Sequence, residues 1–212
     1  MIDFATLPLY LTAVVALLLV PGPDMLLIAS SSLSYGKRVG LFASLGNATS
    51  GLILTVLAAM GVSALIAMNP MALEALRYLG GIYLLKMGWD CLRSQPAESP
   101  TVAARQGLAR LLYRRAVFSN LLNPKALIFF VLFLPQFVSS QIAASSGEQM
   151  LALGLLLNVM GLAFNLLLVV LAGTLGQPLL KNPKFRANQN RFMGCIFILL
   201  AVWLLASQLP QV

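Results

Sequence analysis

Of the 212 residues, 59% are hydrophobic and only 9% charged, against about a quarter charged in ordinary soluble domains. Water is thereby excluded as the solvent, and so is a sizeable extramembrane domain with its own core. The net charge of +8 does not indicate nucleic acid, because the basic residues are scattered between apolar runs and do not cluster on one polar face.

A membrane-spanning helix needs about 20 mostly apolar residues, and that ruler predicts six spans in an all-α membrane protein forming a single transmembrane domain over residues 1–212. The first runs from Leu7 to Leu33. Its opening, Met1-Ile2-Asp3, lacks a cationic region and a cleavage pattern, so it reads as a retained helix and not a signal peptide. Pro21-Gly22-Pro23 interrupts it by removing two amide donors, which bares backbone carbonyls. Such carbonyls must face protein or a wet cavity, and the helix restarting after Pro23 offers a seat for a carboxylate. A tolerated kink is the plainer reading, but Pro-Gly-Pro followed directly by Asp24 favours function. Asp24 is the only carboxylate far from every predicted membrane edge, which makes it the candidate for proton coupling.

The second span, Leu41 to Met68, carries Asn47, Thr49 and Ser50, which either line a cavity or bond between helices. Gly46 with Ser50, and Gly51 with Thr55, suit close helix packing. Span three, Leu73 to Leu92, holds Glu74, Arg77, Lys86 and Asp90 toward its ends and an uncharged centre from Tyr78 to Leu85. The first three-helix half is thus residues 1–93. Residues 94–115 form a cytoplasmic linker rich in Pro, Ser and Ala and then an amphipathic segment, Gln106 to Arg115, expected to lie on acidic lipids at the inner surface.

The second half, residues 116–212, opens with the span Ala116 to Val138. Asn120, Asn123, Pro124 and Lys125 interrupt it just before Phe129, Phe130, Phe133 and Phe137. Pro124 falls in register with Pro23 when the first spans of the two halves are overlaid, and matching interruptions point to a transporter's binding site. Asn158 and Asn165, seven apart, lie on the fifth span, Gln149 to Leu175; the sixth is Phe192 to Leu209. Eleven of the fourteen Lys and Arg residues fall in odd-numbered loops, which predicts those loops inside and both termini outside. Three crossings per half make any repeat inverted, a 3+3 arrangement with its first and fourth helices broken.

An amino acid carries an ammonium beside a carboxylate, so its site needs an acidic or carbonyl-rich wall next to a basic or amide-rich one. Asp24 with the bared carbonyls supplies the first and Lys125 with the helix starts the second. The expected transport core is Pro21, Gly22, Pro23, Asp24, Asn47, Asn120, Asn123, Pro124 and Lys125. A permanent Asp24–Lys125 pair that only pins two helices is the alternative. With two unpaired-looking cysteines, Cys91 and Cys195, and no histidine, the chain offers no metal or cofactor ligand set and no enzyme chemistry. A membrane thiol carrier would need paired cysteines beside the breaks; a channel or structural bundle stays open.

Four runs resemble the lysine exporter and homoserine/threonine exporter (LysE/RhtB) family. They are Leu19 to Asp24, Tyr35-Gly36 through Gly40, Arg77 to Leu85, and Asn120 to Ala126 continuing to Leu134-Pro135-Gln136-Phe137. They cover most of the chain in order. The resemblance implies a six-helix exporter of the bacterial inner membrane that moves small amino acids or derivatives outward against protons, with Pro21, Gly22, Pro23, Asn123, Pro124 and Lys125 in its core. Where the family often has Asn after Pro-Gly-Pro, this chain has Asp24, so a universal proton-carrying role at that position does not follow. Neutral substrates such as leucine, threonine or homoserine are expected, since the single intramembrane acid must already answer Lys125. The bilayer, the substrate and protons are the expected partners, with a homo-oligomer left open beside them.

Overall fold

A computed structural model describes residues 2–20, 22–61, 69–93, 102–180 and 183–206. Pro21, the tail of the second expected span, residues 94–101 of the linker and the end of the sixth expected span lie outside the described residues. Among the described residues every regular element is helical.

Helices α1 (Leu7–Leu19) and α2 (Pro23–Tyr35) flank the first interruption and bend by 55°. Val20 and Gly22 are extended there, as residues ahead of a proline must be. Gly36, at a φ of +88°, turns the chain into α3 (Lys37–Ala59), and Gly61, at +81°, lies just past its end. Both are left-handed conformations that favour glycine. Next come α4 (Pro70–Arg93), α5 (Val102–Leu121) and α6 (Pro124–Ile128). α6 runs on as a π turn, Phe129–Phe133, and a 3-10 turn, Leu134–Phe137. Pro135 accounts for the irregularity: it cannot donate to the carbonyl four residues back and its ring collides with it. α7 (Ser146–Leu180) and α8 (Pro183–Ala206) complete the fold.

By length and composition, two helices are apolar enough to cross a membrane alone, α3 and the Ser146–Thr174 part of α7. Two bent pairs qualify when each counts as one span: α1 with α2, and Gly107–Leu121 with Lys125–Phe137, bent by 49°. That makes two clear spans and up to four, where six were expected. α4 falls short because Glu74, Arg77, Lys86 and Asp90 dilute its apolar content. In α8 the apolar part is the shorter stretch Arg191–Val202. The expected surface segment Gln106 to Arg115 is no separate helix: it continues without a break to Leu121, and its Ala109 and Leu112, with Ala116 just beyond it, are buried.

Packing fixes relative directions. α3 lies against α2, α5 and α7, while α4 pairs with α8. α3 and α5 run the same way: Thr49 meets the Tyr113 hydroxyl at 2.9 Å, and further along Ser50 meets Asn120 at 2.6 Å. α3 and α7 run oppositely, since Gly147 abuts the Ala59 carbonyl at one end and Gly173 abuts Lys37 at the other. Gly81 against Leu205 and Gly88 against Gly194 make α4 and α8 antiparallel as well. At the Ala59 end an apolar cluster gathers Tyr10, Leu54, Phe129, Phe137 and Leu153. At the Lys37 end a second gathers Ile28, Val39, Ala43, Leu112 and Phe197. The outward faces carry Leu52, Ile53, Val56, Val159, Leu167 and Val170, exposed as lipid contact requires.

Candidate functional site

Between the two apolar clusters the interruptions meet. A helix end leaves its last carbonyls without intrahelical partners. Here the Val20 carbonyl, just past α1, accepts a hydrogen bond from Lys125 Nζ at 3.0 Å. Pro23 opens α2, where its missing N–H costs nothing, and Asp24 follows in the first turn at the favourable positive end of the helix dipole.

The second interruption is built around Asn123, which is 1% exposed and caps α6. Its Oδ1 accepts from the Lys125 backbone N–H at 3.0 Å, and its Nδ2 donates to Asp24 Oδ1 at 2.9 Å. One amide therefore starts a helix and holds a carboxylate belonging to another. Pro124 stands at the start of α6 as Pro23 does at the start of α2. Lys125 sits at the wrong end of the α6 dipole for a cation, and its charge is answered from across the gap by Val20 and by Asp24, whose Oδ1 is 3.7 Å from Nζ.

A third wall comes from α3. Asn47 Nδ2 donates to Asp24 Oδ2 at 3.4 Å, while Asn47 Oδ1 accepts from Asn165 Nδ2 of α7 at 3.2 Å. That second bond orients the amide, keeping its donor toward the acid. Asn120 stands one step away, giving Nδ2 to Ser50 Oγ at 2.6 Å and to the Asn47 carbonyl at 3.4 Å. Gly22 provides clearance: a Cβ there would lie 2.8 Å from Asp24 Oδ1 and 3.2 Å from Lys125 Nζ. The Asp24 and Lys125 side chains remain 15% and 19% exposed, so the pair is sheltered but reachable.

The structure thus brings together Gly22, Asp24, Asn47, Asn123 and Lys125, with Pro23 and Pro124 starting the helices that carry the charges. Asn120 belongs to the supporting layer, and Pro21 lies outside the described residues. Two participants were not singled out for this role. The Pro-Gly-Pro break announced bared carbonyls, but the side chains gave no sign that the Val20 carbonyl is the one Lys125 reaches. Asn165 was no better marked than Asn158, which instead donates to the Ala48 carbonyl at 3.0 Å and ties α7 to α3. The Ser119 hydroxyl, beside Asn120, is buried without a hydrogen-bond partner among the described residues.

A family model described as LysE type translocator matches residues 15–208. The chain is 29% identical to an uncharacterized membrane protein of Pseudomonas aeruginosa, over 92% of this chain and 91% of that protein. It is also 29% identical to a leucine efflux protein of Klebsiella pneumoniae, over 89% of each chain. An uncharacterized membrane protein of Bacillus subtilis is 26% identical over 89% of this chain and 93% of its own length. No solved structure matches.

Proposed function

The chain belongs to the LysE type translocator family, and from that premise we propose that it exports small neutral amino acids or close derivatives from the cytoplasm in exchange for protons. The observation that carries this reading is the Asp24–Lys125 pair, 3.7 Å apart across two helix breaks and still accessible. The likeness to a leucine efflux protein supports the choice of a neutral substrate.

A zwitterion fits by exchanging partners. Its ammonium takes the place of Lys125 beside Asp24 and the Val20 carbonyl, and its carboxylate takes the place of Asp24 beside Lys125 Nζ. No net charge is added to the site, which keeps the cost of entry low in a poor dielectric. The two apolar clusters above and below serve as alternate barriers, and a proton returning on Asp24 resets the empty carrier.

Six crossings complete the reading: halves 1–93 and 116–212 related by inversion, joined by the cytoplasmic linker 94–115, in the inner membrane with both termini outside. Three features support it: the antiparallel pairing of α3 with α7, that of α4 with α8, and the concentration of basic residues in odd loops.

The test uses cells loaded with dipeptides. Asp24→Asn and Lys125→Met are each expected to cut the initial rate of amino-acid efflux at least about tenfold at unchanged membrane levels, the loss of one charge-assisted contact. Export by the parent, and not by Asp24→Asn, should respond to an imposed pH gradient. If both variants export at the parent rate, the site assignment fails. Downhill movement without uphill export would instead identify a channel.

A further inference from the structure

An open cavity of about 530 Å³ lies where α3 and α5 meet, lined by Phe42, Arg110, Tyr113 and Arg114. Arg110 and Arg114 are one helical turn apart on α5, so their guanidinium forks project from the same face. The Tyr113 ring is held as a wall by the 2.9 Å hydrogen bond between its hydroxyl and Thr49. Neighbouring Arg115 is taken by Asp90 at 3.1 Å, whereas no carboxylate among the described residues pairs with Arg110 or Arg114. The helices forming the cavity also expose apolar side chains beside it: Leu41 and Leu45 on α3, Leu111 and Phe118 on α5.

We propose that this cavity is a binding site for one anionic phospholipid, whose phosphodiester is held by Arg110 and Arg114 and whose acyl chains lie along Phe42, Leu45 and Phe118. Each half of the occupant is called for by a separate observation. Two forks that no described carboxylate pairs, set in one concavity, match phosphate oxygens bidentately. The exposed Leu and Phe beside them match hydrocarbon, which a free phosphate lacks. Headgroup charge follows from the lining too: a headgroup ammonium would meet two guanidiniums and no acid, so phosphatidylglycerol is preferred to phosphatidylethanolamine. The site is separate from the Asp24 pocket. On α3, Phe42, Leu45 and Thr49 share one face, while Asn47 lies two residues from Thr49 and is turned toward Asp24. A lipid seated here clamps α3 to α5, the helices that carry Asn47 and Asn120.

The test is a lipid titration of the purified full-length protein, read by native mass spectrometry and by thermal unfolding. One phosphatidylglycerol should be retained and should raise the Tm of the parent. Arg110→Gln/Arg114→Gln should weaken retention about 25-fold, roughly fivefold for each arginine facing an anionic headgroup, and abolish the Tm rise. Without lipid, the double variant should unfold at the parent temperature. Phe42→Ala, which leaves the charge unchanged, should also weaken retention. The proposal is overturned if the double variant keeps the lipid as the parent does, if phosphatidylethanolamine binds equally well, or if inorganic phosphate displaces the lipid.

Discussion

Replacing Gly22 with alanine adds a single methyl at the point where the two charges meet. The new Cβ would stand 2.8 Å from Asp24 Oδ1 and 3.2 Å and 3.3 Å from Lys125 Nζ and Cε. Ordinary carbon–oxygen contact needs about 3.4 Å, so the carboxylate must retreat by roughly 0.6 Å or rotate. Gly22 is extended, with φ −141° and ψ 172°, so alanine strains no backbone angle and the effect is confined to this contact. The bond most exposed to the shift is the 2.9 Å link from Asn123 Nδ2 to Asp24 Oδ1. A hydrogen bond to a charged group contributes about 1.5–3 kcal/mol, and the lower end suits a partly accessible pair, which corresponds to roughly tenfold. We therefore expect Gly22→Ala to lower initial efflux from dipeptide-loaded cells about tenfold at normal membrane levels. Gly107→Ala is the control, because a Cβ there meets nothing within 4 Å. Combining Gly22→Ala with Asp24→Asn should be no worse than Asp24→Asn alone, since both act on one contact. Parental efflux by Gly22→Ala, with the protein properly inserted, would refute the claim that this clearance serves the pair.

Asn165→Ala frees the Asn47 amide to turn its oxygen toward Asp24, so efflux should fall about threefold to tenfold with little change in thermal stability, whereas Asn158→Ala should mainly lower stability. Gly46→Ala drives a methyl into the Tyr113 backbone carbonyl and should cost about 1–3 kcal/mol, measurable by thermal unfolding in detergent. Asp3, outside the spans, is held below the usual carboxylate range by the Ala5 N–H at 2.9 Å and the Ser139 hydroxyl. A depressed pKa stabilises the fold above the unfolded value and loses that effect as the pH falls through the folded one. Asp3→Asn should therefore lower the Tm near neutrality, and the difference should vanish in acid.

The interruptions were legible because proline's missing donor acts locally: Pro23 and Pro124 end a hydrogen-bond ladder whatever surrounds them. The meeting of Asp24 with Lys125 was legible from cost, since an ion in hydrocarbon needs a partner and the chain offers few. What escaped depends on depth or on neighbours. Leu108, Leu111 and Leu112 among arginines describe an amphipathic helix, but a periodic stripe does not say whether its apolar side meets lipid or another helix. In α5 Ala109 and Leu112 are buried in the bundle while Leu111 stays exposed, so the segment joins the helix that follows it. Asn158 and Asn165 are two turns apart on one face of α7 and identical in type; only their height along antiparallel α3 separates a packing bond from a contact that orients Asn47. Hydropathy marks α3 and α7 clearly because few charges interrupt them. It does not mark α4, where Glu74, Lys86 and Asp90 enter the average although Leu84 and Met87 between them are buried.

The two breaks are mutually dependent. The Val20 carbonyl freed by the first is satisfied by Lys125 from the second, and Asn123 of the second donates to Asp24 of the first. Either interruption alone would leave these groups without the protein partners they have here, so each break supports the other. The contacts that make the broken helices tolerable are thus the same contacts that a zwitterionic ligand would replace. Under the proposed function, a ligand that took Asp24 and Lys125 would also remove the ties that hold α1, α2 and α6 in register and substitute its own charges for them. Occupancy and helix arrangement would then be a single equilibrium, which would distinguish a carrier from a pore: a pore's walls are satisfied without its solute, whereas the proposed exchange requires different pairings of the same groups when bound and when empty.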